Sequence, residues 1–259
     1  MKKYILDLVV SSNVRLNDSF VLLKLTDERP LPDMLPGQFA ELKVEGSAST
    51  FLRRPISINF VDRVRNELWL LIQLVGDGTR RLGELVPGDR LNCVLPLGNC
   101  FSVPEVCEGF RPLLVGGGAG TAPLLMLGER LAERGARPVF LLGARSEDCL
   151  LETELFKRYG ELFVTTEDGS RGERGFVTAH SVLSQRMFDF VYCCGPRPMM
   201  EAVARYAAAR GVETEVSLEN KMACGLGACL CCVEKTRGGH RCVCTDGPVF
   251  NVKELLWQI

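Results

Sequence analysis

Short runs of alternating apolar and polar residues fill the first part of the chain. Residues 4–10, 20–26, 38–44, 55–61, 68–75 and 90–95 each read as a strand with one face turned inward. Pro36-Gly37 and Pro87-Gly88 supply turns between them. Six short strands, with a single short helix expected near 79–84, predict a small antiparallel β-barrel over residues 1–105. The pattern then changes. Apolar runs at 112–115, 138–142, 162–166, 190–194 and 213–218 alternate with helical stretches at 123–134, 152–159 and 198–210. Alternation of strand and helix predicts a doubly wound parallel α/β domain over residues 106–218. Residues 219–259 form a separate cysteine-rich module. The fold class is therefore α+β and multidomain, without repeats or long linkers.

Composition narrows this picture. The chain has 259 residues, 46% hydrophobic and 24% charged, which suits a globular protein of more than one domain. A net charge of -1 gives no general attraction to nucleic acid or to an anionic membrane. Asp7 interrupts the apolar start and no small-residue cleavage site follows, so a first strand is expected rather than a signal peptide. No run approaches the ~20 apolar residues of a membrane span, and a cytoplasmic location is expected. Two histidines, His180 and His240, make a His-based triad or multi-histidine metal site improbable.

Of the 12 cysteines, six crowd between Cys224 and Cys244, which points to metal rather than to a disulfide framework. Cys224, Cys229 and Cys232 are spaced C-x4-C-x2-C, the plant-type ligand spacing for a [2Fe–2S] cluster, and Cys244 follows as a fourth. Gly225 and Gly227 let the intervening backbone fold around a cluster and aim its N–H groups at sulfur. Cys231 and Cys242 stand beside these positions and compete as ligands. Cys93, Cys100, Cys107, Cys149, Cys193 and Cys194 are scattered and read mostly as small buried apolar residues.

Other motifs carry phosphate and ring chemistry. Arg54-Pro55-Ile56-Ser57 opens a strand; the arginine offers a rigid fork of donors to a phosphate, and the serine can bond a flavin ring. Gly76-Asp77-Gly78-Thr79 opens the short helix, a turn that can hold phosphate through backbone N–H groups or can serve as a plain hairpin turn. Gly116 through Pro123 follows a strand and opens a helix, the context of a dinucleotide-phosphate loop, with Gly117, Gly118, Gly120 and Thr121 as candidate contacts. It departs from G-x-G-x-x-G because Thr121 takes the last glycine position. Cys194-Gly195 ends a later strand, where a small polarisable side chain can border a nicotinamide. Arg145, Glu147 and Asp148 leave the nucleotide preference open, with NAD favoured.

In this order the motifs resemble the ferredoxin–NADP reductase superfamily, and within it the electron-transfer subunits of class 1B dihydroorotate dehydrogenases. The resemblance runs through residues 52–58, Pro96-Leu97-Gly98-Asn99, the Gly116–Pro123 loop, Cys194-Gly195-Pro196, and Cys224 through Asp246-Gly247-Pro248-Val249-Phe250. It implies one FAD, held at Arg54, Pro55, Ile56, Ser57, Leu71, Ile72, Gln73, Gly78 and Thr79. It implies one [2Fe–2S] cluster on Cys224, Cys229, Cys232 and Cys244, with NAD as the soluble acceptor. It also implies an FMN-containing catalytic partner subunit, two copies of each, acting in pyrimidine biosynthesis. A chain this short cannot hold an additional (β/α)8 barrel of ~250 residues. The cofactors carry the chemistry, so no acid–base residue is assigned. Two rival readings stand beside this one. The first is the small subunit of an NADH-dependent ferredoxin–NADP reductase or a sulfide dehydrogenase. The second is a zinc-stabilised binding module, since Cys229 and Cys232 also fit a zinc C-x2-C pair.

Overall fold

The computed structural model describes residues 2–47, 49–105 and 108–258; Cys107 lies outside them. Six strands close into an antiparallel barrel. They are β1 (Tyr4–Asn17), β2 (Phe20–Thr26), β3 (Phe39–Leu42), β4 (Arg54–Asp62), β5 (Glu67–Gln73) and β6 (Arg90–Leu97), in the order β1-β2-β5-β4-β3-β6. Alternation along each strand sends residues such as Leu8, Leu23, Leu42, Ile58 and Leu70 into one core. Closure leaves no open edge. β1 continues to Asn17 instead of stopping at residue 10, because a register shift between Val10 and Ser12 bends it and keeps it paired with β2. The short helix α1 (Asp77–Gly83) follows β5.

The second domain contains β7 (Pro112–Gly117), α2 (Ala122–Glu133), β8 (Val139–Ala144), α3 (Thr153–Phe156), β9 (Glu161–Thr166), β10 (Glu173–Arg174), α4 (Val182–Gln185), β11 (Phe190–Cys194), α5 (Arg197–Ala208) and β12 (Glu213–Ser217). All six residues of β7 are buried, as expected of a central parallel strand covered on both faces. The order β10-β9-β8-β7-β11-β12 reverses direction beside β7, which opens a ligand crevice at the ends of β7 and β11. The helix expected over 152–159 is one turn only. Beyond it the chain tightens through i→i−3 bonds, Arg158 to Leu155 and Tyr159 to Phe156, before entering β9.

The C-terminal module adds the hairpin β13 (Val233–Thr236) and β14 (Gly239–Cys242), then β15 (Val249–Asn251). β15 pairs antiparallel with β12 and becomes the seventh strand of the nucleotide-domain sheet. The module is thus built into its neighbour. No helix among the described residues is long and apolar enough to cross a membrane.

Candidate functional site

Two groups on the barrel converge where a phosphate could sit. A Cβ added to Gly78 would lie 3.0 Å from Thr50 Cγ2 and 3.1 Å from Arg54 Cδ, so glycine lets the start of α1 close on Arg54 without displacing either side chain. The first N–H groups of a helix have no partner within it, and here the start of the helix packs against the aliphatic stem of Arg54. The Thr79 hydroxyl is committed to the turn: it donates to the Gly76 carbonyl and accepts from the Gly76 N–H. Ser57 is half-buried on β4 opposite Phe39 of β3. Among the other expected flavin contacts, Ile72 turns its side chain into the barrel core, which leaves only its backbone for a ligand. Leu71 faces outward and packs with Phe20, Ala122 and Leu151, beside Ala119 of the glycine loop. Gln73 is exposed.

The glycine loop leaves β7 and passes through a 3-10 turn, Gly118–Thr121, into α2. Gly118 has φ +56°, a left-handed conformation that suits glycine. A Cβ on Gly120 would fall on the carbonyl of Cys194, and one on Gly117 would lie 2.6 Å from Met199 Sδ. The loop and the Cys194-Gly195-Pro196 turn therefore interlock at the crevice. Burial pushes the Cys194 thiol up to about 12, with Glu219 adding to the rise and a Ser217 hydrogen bond opposing it. It is a neutral, compact side chain there and no nucleophile.

The cysteine loop gathers four sulfurs as two pairs. The Cys224 sulfur accepts N–H bonds from Leu226 (3.3 Å), Cys229 and Ala228 and bonds the Cys229 thiol; these hold it down to about 6. Cys244, pushed up to about 12 by burial, is hydrogen-bonded to the Cys232 sulfur, and its own sulfur accepts the Gly227 N–H at 3.2 Å. Cys244 N–H in turn reaches the Cys232 sulfur at 3.4 Å. Gly225 and Gly227 adopt φ +67° and +81°, which points these amides inward. Among the described residues no three His, Cys, Asp or Glu side chains are gathered tightly enough for one metal ion. A two-iron cluster on four cysteines takes two protein sulfurs per iron, and two pairs fit that demand. Cys231 is exposed and enters neither pair, whereas Cys242 also touches Cys232.

Two residues seat this loop: Asn99, which belongs to one of the blocks carrying the resemblance, and Glu41, which the sequence does not single out. Asn99, just past β6, donates Nδ2–H bonds to the carbonyls of Asp246 (2.9 Å) and Val249 (2.8 Å) and accepts the Val249 N–H (2.9 Å). A Cβ on Gly98 would lie 2.5 Å from Pro248. The Pro96–Asn99 and Asp246–Phe250 blocks are thus two halves of one joint. Glu41 of β3, fully buried, lies against Gly225 of the cysteine loop. Burial pushes its carboxyl up to about 7, opposed by Arg54 and Arg53. Its only mark in the sequence is that it is the lone acid inside Phe39–Leu42.

Two parts of the chain match known protein families. Residues 219–256 match the iron–sulfur cluster binding domain of dihydroorotate dehydrogenase B, and residues 114–205 an oxidoreductase NAD-binding domain. The dihydroorotate dehydrogenase B (NAD(+)) electron transfer subunit of Shouchella clausii is 42% identical over 85% of this chain and 86% of its own length. That of Fusobacterium nucleatum is 36% identical over 96% and 97%. Among solved structures, a chain of the NADH-dependent reduced ferredoxin–NADP oxidoreductase superposes with TM-score 0.85 at 28% identity, covering 99% of this chain and 92% of that one. Phthalate dioxygenase reductase shares the fold, with TM-score 0.65 at 20% identity over 84% of this chain and 70% of that one. The chain belongs to the family of dihydroorotate dehydrogenase B electron transfer subunits.

Proposed function

We propose that this chain carries electrons from an FMN-containing catalytic subunit, which oxidises dihydroorotate, to NAD+. One observation carries the reading: the cysteine loop rests on β3, and β3 pairs directly with β4, the strand of Arg54 and Ser57. Neighbouring strands lie about 4.8 Å apart, so a cluster and a flavin held there are close neighbours.

When bound, the cluster carries electrons singly, the nicotinamide takes two as hydride, and the flavin exchanges in both modes. The chain's own residues bind and orient. Arg54 and the start of α1 would hold a pyrophosphate, and the Ser57 hydroxyl would bond the flavin ring. Gly117, Gly118, Gly120 and Thr121 admit a dinucleotide to the crevice. Cys194 and Gly195 border the nicotinamide with a neutral thiol. Cys224 and Cys229 take one iron, Cys232 and Cys244 the other. Leu226 and Leu230 are 51% and 63% exposed beside the exposed Cys229, an apolar rim suited to a partner subunit that delivers electrons at that point. Two copies of each subunit and a cytoplasmic setting, where thiols stay reduced, complete the reading.

The likeness to the NADH-dependent ferredoxin–NADP oxidoreductase chain favours a second reading, with a different partner. Purification of the chain with its native partner under anaerobic conditions, followed by assay of dihydroorotate-dependent NAD+ reduction, separates the two. Activity in a complex containing FMN is expected. A brown, NADH-oxidising complex inert towards dihydroorotate moves the function to the second reading. A colourless chain returns the cysteines to a structural role.

A further inference from the structure

Glu41 occupies the outward face of a barrel strand, where alternation usually places a solvated carboxylate. Here the residue is 0% exposed, and neither carboxylate oxygen has a hydrogen-bond partner among the described residues. The two arginines whose charges face it make their hydrogen bonds to other groups. Arg53 binds the backbone carbonyl of Glu41 and both oxygens of Asn92, and Arg54 turns its Nε towards the Arg53 carbonyl. The remaining side is covered by the cysteine loop: a Cβ on Gly225 would lie 2.8 Å from Glu41 Cγ and 3.2 Å from its Oε1. A buried carboxyl without partners is costly, and breaking off or omitting its partners makes it more so. Leucine fills a similar volume without that cost. The position therefore asks for a role that a neutral side chain cannot perform.

Resting on the cluster and flavin assignments above, we propose that Glu41 is a positioning residue for electron transfer, its negative charge keeping the reduction potential of the adjacent cluster low. Net charge around a cluster and its exposure to solvent are among the levers that set its potential. In the water-excluded joint between β3 and the loop, a charge is screened little. It opposes a further electron on the cysteine side and favours onward transfer towards the flavin strand.

The test is an EPR-monitored redox titration of the full chain loaded with FAD and cluster. E41Q is expected to shift the one-electron equilibrium about tenfold towards the reduced cluster, which is 59 mV. E41D, which keeps the charge, is expected to stay within about threefold of the native chain on the same scale. E152Q neutralises a buried carboxyl at the barrel–nucleotide domain contact and is expected to leave the potential unchanged. An E41Q potential indistinguishable from native overturns the proposal. If E41Q does not load, E41M supplies the uncharged variant. If neither loads, Glu41 holds the loop mechanically and the electrostatic role is overturned. A native chain without any cluster sinks the functional reading itself, which sets that failure apart from the failure of this proposal.

Discussion

Replacing Asn99 with alanine tests whether the cysteine module is held by the joint at the end of the barrel. The side chain makes three hydrogen bonds across it, two to the carbonyls of Asp246 and Val249 and one from the Val249 N–H. Each such bond contributes roughly 0.5–1.5 kcal/mol net, so N99A is expected to weaken the seating of the module by about 3 kcal/mol. N99D sharpens the test. It keeps the oxygen that accepts from Val249 but turns the two donors into an oxygen facing two carbonyls, and is expected to be at least as damaging. The two tryptophans allow the effect to be located: Trp69 lies on β5 of the barrel and the buried Trp257 follows β15. Urea unfolding of N99A in a W69F background, read by Trp257 fluorescence, should show the module released at lower denaturant, while the barrel, read by Trp69 in a W257F background, holds. A change below about 0.5 kcal/mol at Trp257, less than one ordinary hydrogen bond, refutes the assignment of the joint to this side chain.

Other outcomes follow from the same geometry. C229S is expected to abolish the cluster, measured by iron and sulfide content, while reduction of bound FAD by NADH largely survives; loss of both in a folded variant refutes the division of labour. In G120A the new methyl falls on the Cys194 carbonyl, and displacement of the nicotinamide border by about 1 Å is expected to slow flavin reduction by NADH on the order of a hundredfold; stopped-flow absorbance reads it, with FAD content unchanged. Glu152 is pushed up from its ordinary 4.5 to about 7 by burial, against an opposing Asn59 hydrogen bond and the Lys24 charge. The unfolded chain therefore loses this proton first as pH rises, ionisation favours unfolding, and the native protein should lose on the order of 3 kcal/mol between these two pH values relative to E152Q. Parallel urea titrations across that range give the answer, and equal slopes for both proteins refute it.

What could be read from the sequence is what local pattern encodes. Period-two alternation marks the barrel strands because each must turn one face to a single core. The glycine loop is legible because a strand, four glycines and a helix start within ten residues leave few other conformations. The interval between Cys224 and Cys232 is short enough for its spacing alone to limit the ligand geometry. Boundaries drifted where a bulge or a tightened turn overrode the pattern, as at β1 and α3. Packing alone decided the rest. It paired Cys224 with Cys229 and Cys232 with Cys244, placed β15 on the nucleotide-domain sheet, and joined Asn99 to a carbonyl 150 positions away. It also covered Glu41 with Gly225, so that an acid on a barrel strand is fully buried. Such contacts depend on which surfaces meet after folding, and no periodicity in a single chain records that.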